Sequence, residues 1–342
     1  MIRLLIALSF LLLPALPAMA DGPSLFGAEA TITNTPVLRF TSAINGTPFT
    51  LYIRKPSGPA PKGGYSVLYV LDGDLYFPPA QFLSYTIAGT SPVVVGIGHE
   101  ALSDKSVIAR YGKPPKDGGE IGEAEAFSAF GHMRTLDFTT ALAPEHRAPA
   151  WLSTESGGDV DAFLRIIETE IKPKVAALVP VNTADQAIYG HSLGGLAVIR
   201  ALFTEPSAFR TFVASSPSLW WDGNAVLEDE AGFGAEVRAG KIAPRILITA
   251  AGDEADLPPP DDAFVNKLSA ERAAEIQPYL KMRSSWAGMK TGSRALADRL
   301  KSLPGKAGYE VQYELIPGVD HGSAPKVALM RAMDFAFPQL NK

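Results

Sequence analysis

The chain has 342 residues, enough for one large domain or two small ones, and a globule of this size buries roughly three quarters of its unfolded surface. It contains no cysteine, which excludes disulfides, thiolate chemistry and cysteine metal sites. A formal net charge of -5, with both signs scattered and no basic run, argues against nucleic acid or an anionic membrane as a partner.

At the start, Arg3 precedes the apolar run Leu4 to Leu13, and Ala18-Met19-Ala20 supplies a small-x-small cleavage pattern. Residues 1–20 therefore read as a secretory signal peptide cut after Ala20. The apolar run is too short to span a bilayer, and no cysteine follows it to carry a lipid. Residues 21–342 are expected to form one domain, periplasmic or secreted, without stable membrane insertion after cleavage.

Val37 to Ser42 and Thr50 to Arg54 carry β-formers around the hairpin signal Asn45-Gly46, and the Pro- and Gly-rich Lys55 to Gly64 reads as a loop. Ser66 to Leu71 is a near-continuous apolar run, as expected of a central parallel strand covered on both faces. It ends at Asp72-Gly73-Asp74, at a strand's C-terminal end, where α/β sheets place their ligand contacts. A helix over Phe77 to Ile87 and a buried strand over Pro92 to Ile97 follow. From about 101 to 156 the pattern breaks down, and a long irregular insertion of this kind reads as a lid or substrate loop. Asp159 then caps a helix with apolar residues at Val160, Phe163, Leu164, Ile167 and Ile171, and Pro173 falls near its end.

Ala187-Ile188-Tyr189 is a short buried strand, Leu196 to Phe203 an apolar helix, and between them lies G-x-S-x-G, filled by Gly190, Ser192 and Gly194. A serine on a sharp strand-to-helix turn needs small neighbours because the chain passes close by, and the following helix aims unsatisfied N–H groups at it. Phe212 to Ser215 and Arg245 to Ala250 are further strands; a proline-rich insertion spans about 253–285. A helix over Thr291 to Leu303, a strand over Tyr309 to Leu315, the turn Pro317 to Gly322 and a helix over Pro325 to Phe337 complete the chain. Strands alternating with helices predict a doubly wound, mostly parallel sheet with helices on both faces and lid-like insertions. No internal repeat or linker divides it.

A serine hydroxyl needs a base within hydrogen-bond reach. Of five histidines, only His321 lies in a short loop after the final strand, where the order nucleophile, acid, histidine puts the base. His191 adjoins the serine and reads as structural or oxyanion-lining. The orienting acid is expected after the strand ending at Ala250, where Asp253, Glu254 and Asp256 crowd one turn; Glu254 is favoured, Asp256 next, and a dyad without a strong acid is the alternative. Leu193 supplies one oxyanion N–H and Gly73 or Asp74 the other. No HExxH or ligand-spaced cluster calls for a metal, and no cofactor is implied.

Leu71-Asp72-Gly73-Asp74-Leu75-Tyr76-Phe77, Arg134 to Thr139, Gly157-Gly158, Gly190 to Gly195 and Ser216-Pro217-Ser218-Leu219-Trp220-Trp221 together resemble the "Putative esterase" family of α/β-hydrolases, which includes esterase D, the mycolyl transferases and the trilactone siderophore esterases. The siderophore-esterase branch is the most similar, through the LDG-x-x-YF and SPS-x-WW segments. The resemblance implies an α/β-hydrolase fold, Ser192 as nucleophile and His321 as base. It also implies a role for Arg134 toward an anionic or catechol-bearing substrate, against which stands an ion pair with Asp137. Trp220, Trp221 and Phe77 read either as pocket lining or as plain core. The expected activity is an exported serine esterase acting on a small-molecule ester, with a siderophore ester as the specific case. An acyltransferase using the same residues, a non-catalytic cell-envelope binding protein of the same fold and a peptidase are the rivals.

Overall fold

The computed structural model describes residues 35–87, 91–115, 118–146, 156–254, 269–270 and 288–338. The signal peptide read over residues 1–20, nearly all of the second insertion and Asp256 lie outside them.

Apolar runs without alternation build the middle of the sheet. They are β3 (Tyr65–Val70), β4 (Val93–Gly98), the second half of β5 (Val181–His191), β6 (Thr211–Ser215) and β7 (Arg245–Ala251), each covered on both faces. With β1 (Val37–Thr41), β2 (Pro48–Arg54) and β8 (Glu310–Ile316), the described residues form one eight-stranded sheet in the order β1-β2-β4-β3-β5-β6-β7-β8. The β1–β2 and β2–β4 pairs are antiparallel and the other five are parallel. The Asn45-Gly46 turn closes the β1–β2 hairpin, Gly46 standing at φ 72° as such a turn requires.

Side chains alternate between two cores. Val67, Tyr69, Ile188, Phe212, Ile246 and Ile248 face one layer; it is formed by α4 (Val160–Ile166), α6 (Leu193–Thr204), α7 (Glu230–Arg238) and α8 (Met289–Lys301). Leu68, Val70, Val94, Tyr189, Val213 and Leu247 face the other, under α1 (Gly73–Ser84) and α9 (Ala324–Ala336). This is the α/β-hydrolase architecture expected from the alternation of strands and helices.

Three elements differ from expectation. Helix α1 starts four residues before Phe77, directly after Asp72, and carries Pro78 and Pro79 in its interior; those prolines pushed the expected start downstream. The helix capped by Asp159 does not stop at Pro173. It passes through a π turn at Ile167–Ile171 into α5 (Lys172–Leu178), with the proline in the first turn of the new segment. The stretch after 101 is not irregular throughout. It holds α2 (Lys105–Tyr111), capped by Asp104 through the N–H groups of Ser106 and Val107, and the long α3 (Glu123–Phe138). Ala126, Ala129 and Met133 of α3 enclose a satellite core with Ile108. Their helical spacing is masked in the sequence by small residues and by Gly131 and His132. No described helix is long and apolar enough to cross a membrane.

Candidate active site

Parallel register brings the chemistry to one edge. Val70 stands opposite Tyr189, His191 opposite Ser215 and Ser215 opposite Thr249. The loops after β3, β5, β6, β7 and β8 therefore open together at the sheet's C-terminal end.

Ser192 sits between β5 and α6 at φ 60°, ψ -118°, a strained conformation for a side chain other than glycine. The turn is pinned by the Ser192 N–H donating to Ser215 O at 2.9 Å, while Ser192 O accepts from the N–H groups of Leu196 at 2.9 Å and Ser218 at 3.0 Å. The motif's glycines are not equivalent. A methyl group added at Gly190 would lie 2.2 Å from the Gly194 carbonyl oxygen, and one at Gly195 would lie 3.0 Å from Pro217 Cα and Ser215 O. At Gly194 nothing lies nearer than 3.5 Å. Close backbone approach thus fixes Gly190 and Gly195.

His321 arrives on the loop after β8, which turns at Gly318 (φ 69°) and is tied to the β7 loop by Asp253 N–H donating to Val319 O at 2.9 Å. Its Nε2 is 2.9 Å from Ser192 Oγ. Its Nδ1–H donates to Glu254 Oε1, and the other oxygen of that buried carboxylate accepts a hydrogen bond from Ser216 Oγ at 2.8 Å. Of the three carboxylates in that turn, Glu254 is the one beside His321; Asp253 takes part through its backbone, and Asp256 is outside the described residues.

Leu193 opens α6 and Gly73 opens α1, so the N–H groups of Leu193, Gly73 and Asp74 have no acceptor inside their helices. Because β3 and β5 are neighbours, these two positive helix ends lie side by side, a suitable setting for a developing oxyanion. The Asp74 side chain is otherwise engaged. It accepts from Tyr52 Oη at 2.8 Å and from the backbone N–H groups of His99, Glu100 and Ala101.

Arg134 does not pair with Asp137. From α3 it reaches under the elbow, where Nε donates to Asp72 Oδ1 at 2.7 Å and Nη2 to the His191 carbonyl at 3.2 Å. Phe130 and Phe138 flank the guanidinium. Asp137 is instead bonded to His99 Nε2 at 2.7 Å, in a buried pair whose Nδ1 meets Pro48 O. Burial raises the proton affinity of the Asp72 carboxyl and the Arg134 charge opposes that rise. His191 is buried, with Nδ1 3.1 Å from Ser215 Oγ and its ring 4.6 Å from that of His321. Burial first, then the charges of His321 and Arg134, holds the His191 imidazole well below the usual histidine range.

Trp220 and Trp221 are core residues, and Trp221 Nε1 donates to Thr140 O at 3.1 Å, joining the 220 loop to the segment after α3. Phe77 packs on the other face, against Gly96 and the Tyr52 ring. Two further residues, Ser216 and Ser218, stand beside the triad-like cluster. Ser216 touches Glu254, and Ser218 Oγ lies 3.3 Å from Ser192 Oγ. Their only sequence signal was the Ser216-Pro217-Ser218 string.

The family model described as "Putative esterase" matches residues 138–287. The chain is 28% identical over 314 residues to the ferri-bacillibactin esterase BesA of Bacillus subtilis, covering 90% of each protein. It is 33% identical over 175 residues to the siderophore triacetylfusarinine C esterase of Aspergillus fumigatus, covering half of each. Among solved structures, the BES protein from Bacillus cereus superposes with a TM-score of 0.68 at 23% identity, covering 92% of this chain and 99% of that one. By the family match over residues 138–287, the relatives and the shared topology, the chain has the α/β-hydrolase fold and is similar to esterases, the siderophore esterases among them.

Proposed function

We propose that the chain is an exported serine esterase that hydrolyses siderophore-type esters through an acyl-enzyme on Ser192. The observation that carries this reading is His321 bridging Ser192 Oγ on one ring nitrogen and the buried Glu254 carboxylate on the other. In the first half-reaction, Ser192 Oγ attacks the ester carbonyl as His321 Nε2 takes its proton. The oxyanion is held by the N–H of Leu193 and that of Gly73 or Asp74, at two adjacent helix ends. Collapse expels the alcohol, which receives the proton from His321. Water, deprotonated by His321 in turn, then releases the acid and frees Ser192. Glu254 holds the imidazole in the tautomer this requires and stabilises its cation.

The names of the relatives support an iron-chelating ester as substrate, and the pattern of residues 1–20 supports export. The test is hydrolysis of p-nitrophenyl esters and of a trilactone siderophore by wild type, Ser192→Ala and His321→Ala. Each variant is expected to lose at least about a thousandfold in kcat while staying folded. Turnover retained in either variant would sink the mechanism. Cleavage of simple esters with none of the trilactone would sink the substrate class, and N-terminal sequencing of the secreted protein checks cleavage after Ala20.

A further inference from the structure

The Ser216-Pro217-Ser218 turn follows β6, between the strand that delivers Ser192 and the strand that delivers Glu254. It touches both. Ser218 donates its N–H to Ser192 O at 3.0 Å and carries its hydroxyl to 3.3 Å from Ser192 Oγ. Ser216 is fully buried. Its N–H donates to Thr249 O at 2.8 Å, its hydroxyl accepts from Ala251 N–H at 3.2 Å, and that hydroxyl donates to Glu254 Oε2 at 2.8 Å.

These bonds give the Ser216 hydroxyl a single rotamer. With its acceptor side occupied by a backbone N–H from β7, its proton has one place to go, the Glu254 carboxylate. Glu254 Oε1 then faces His321 Nδ1. Ser216 also adopts φ 40°, in the left-handed region where glycine would be the low-cost residue. A serine kept there retains strain that glycine would relieve, which points to the hydroxyl as the reason for its presence.

We propose that Ser216 is a positioning residue of the esterase reaction: held by Ala251 N–H, its hydroxyl fixes the Glu254 carboxylate, which in turn fixes the His321 imidazole. The inference rests on the serine–histidine reading above. It goes further in naming what orients the acid and in giving the proline-bracketed serines distinct tasks, Ser216 toward the acid and Ser218 toward the nucleophile.

The test is Ser216→Gly, which suits the left-handed backbone and removes the hydroxymethyl group, with Ser216→Ala, which removes the hydroxyl alone, alongside. Rates on a p-nitrophenyl ester are expressed per active site titrated with a fluorophosphonate, so that any unfolded fraction does not enter. Ser216→Gly is expected to lower kcat about tenfold with KM within about twofold, because a hydrogen bond to an ionised group is lost. The acid limb of its kcat/KM profile should move to higher pH, since a carboxylate deprived of a donor raises the proton affinity of the His321–Glu254 pair. In a Glu254→Gln background the same substitution should cost less than about twofold, there being no carboxylate left to hold.

Wild-type kcat and an unmoved pH profile in Ser216→Gly would overturn the proposal. So would a loss of rate with no pH shift and full additivity with Glu254→Gln, which would mark the residue as structural only. Ser192→Ala and His321→Ala run in parallel separate the two failures. If those variants turn over, the catalytic reading has failed; if they are dead while Ser216→Gly is fully active, only this inference has.

Discussion

At the scale of single residues, the carboxylate beside His321 and the glycines around Ser192 make the sharpest claims. Glu254 is buried and accepts from His321 and Ser216, whereas Asp253 on the same turn contributes its backbone. Glu254→Gln keeps the shape but lets the imidazole take the wrong tautomer, so kcat on a p-nitrophenyl ester should fall about 10²- to 10⁴-fold with little change in Tm. Asp253→Asn should stay within about twofold of wild type in the same assay. Equal losses in the two variants would dismiss Glu254 as the acid. The glycines grade by the space around them. Gly190→Ala drives a methyl to 2.2 Å from the Gly194 carbonyl oxygen, backbone that cannot rotate away. A cost of about 2–3 kcal/mol, or roughly 3–6 °C in Tm, should follow. Gly194→Ala meets nothing nearer than 3.5 Å and should leave Tm unchanged or slightly raised, as alanine favours the helix it opens. Thermal scans of the two variants decide this, and a reversed order would mean the elbow relaxes more freely than its contacts indicate.

Between elements, the decisive contact is one that no periodicity announces. Arg134 on α3 bonds Asp72, just before α1, and the carbonyl of His191, just before Ser192. One guanidinium therefore ties together the starts of α1 and α6, the two helices proposed to hold the oxyanion. This gives a test of Arg134 as a brace against Arg134 as a substrate contact. Arg134→Gln should reduce kcat about tenfold or more even on p-nitrophenyl acetate, which offers no anionic or catechol group to bind. Normal acetate turnover, with losses confined to charged or catechol-bearing esters, would assign the residue to substrate instead. The same contact marks the limit of reading the chain as a string. Strands β3 to β7 were legible because strands covered on both faces are written as continuous apolar runs, and the elbow because its glycines bracket a serine between strand and helix. Helix α3 was hidden by its small and mixed residues, and the start of α1 by Pro78 and Pro79. The partners of Arg134 and Ser216 lie 62 and 38 positions away, respectively, for Asp72 and Glu254, separations that only the folded sheet brings together.

For the whole molecule, the buried histidines set how stability answers to pH. His191 and His132 are both held below the ordinary histidine value by burial, His191 also by the neighbouring His321 and Arg134. Such a group is neutral in the folded state and takes up a proton more readily once unfolded. Its contribution is therefore complete above the unfolded value near 6.5 and is lost as the pH falls below it. His99 acts in the opposite sense. Burial resists its charge, but Asp137 more than compensates, so its contribution is present at low pH and fades as pH rises through its raised folded value. The acid side is thus the place to look for His191. Each fully withheld proton gives a slope of at most about 1.4 kcal/mol per pH unit, or roughly 2–4 °C in Tm for a chain of this size. His191→Asn replaces the ring with a side chain that does not titrate and can still meet Ser215 Oγ. Its Tm should start below wild type at pH 7.5, because a packed ring is lost, and then decline less steeply between pH 6.5 and 5 so that the two curves converge. Parallel curves across that interval would show that the His191 imidazole is protonated as easily inside the fold as outside it, and that burial beside His321 imposes no cost on its charge.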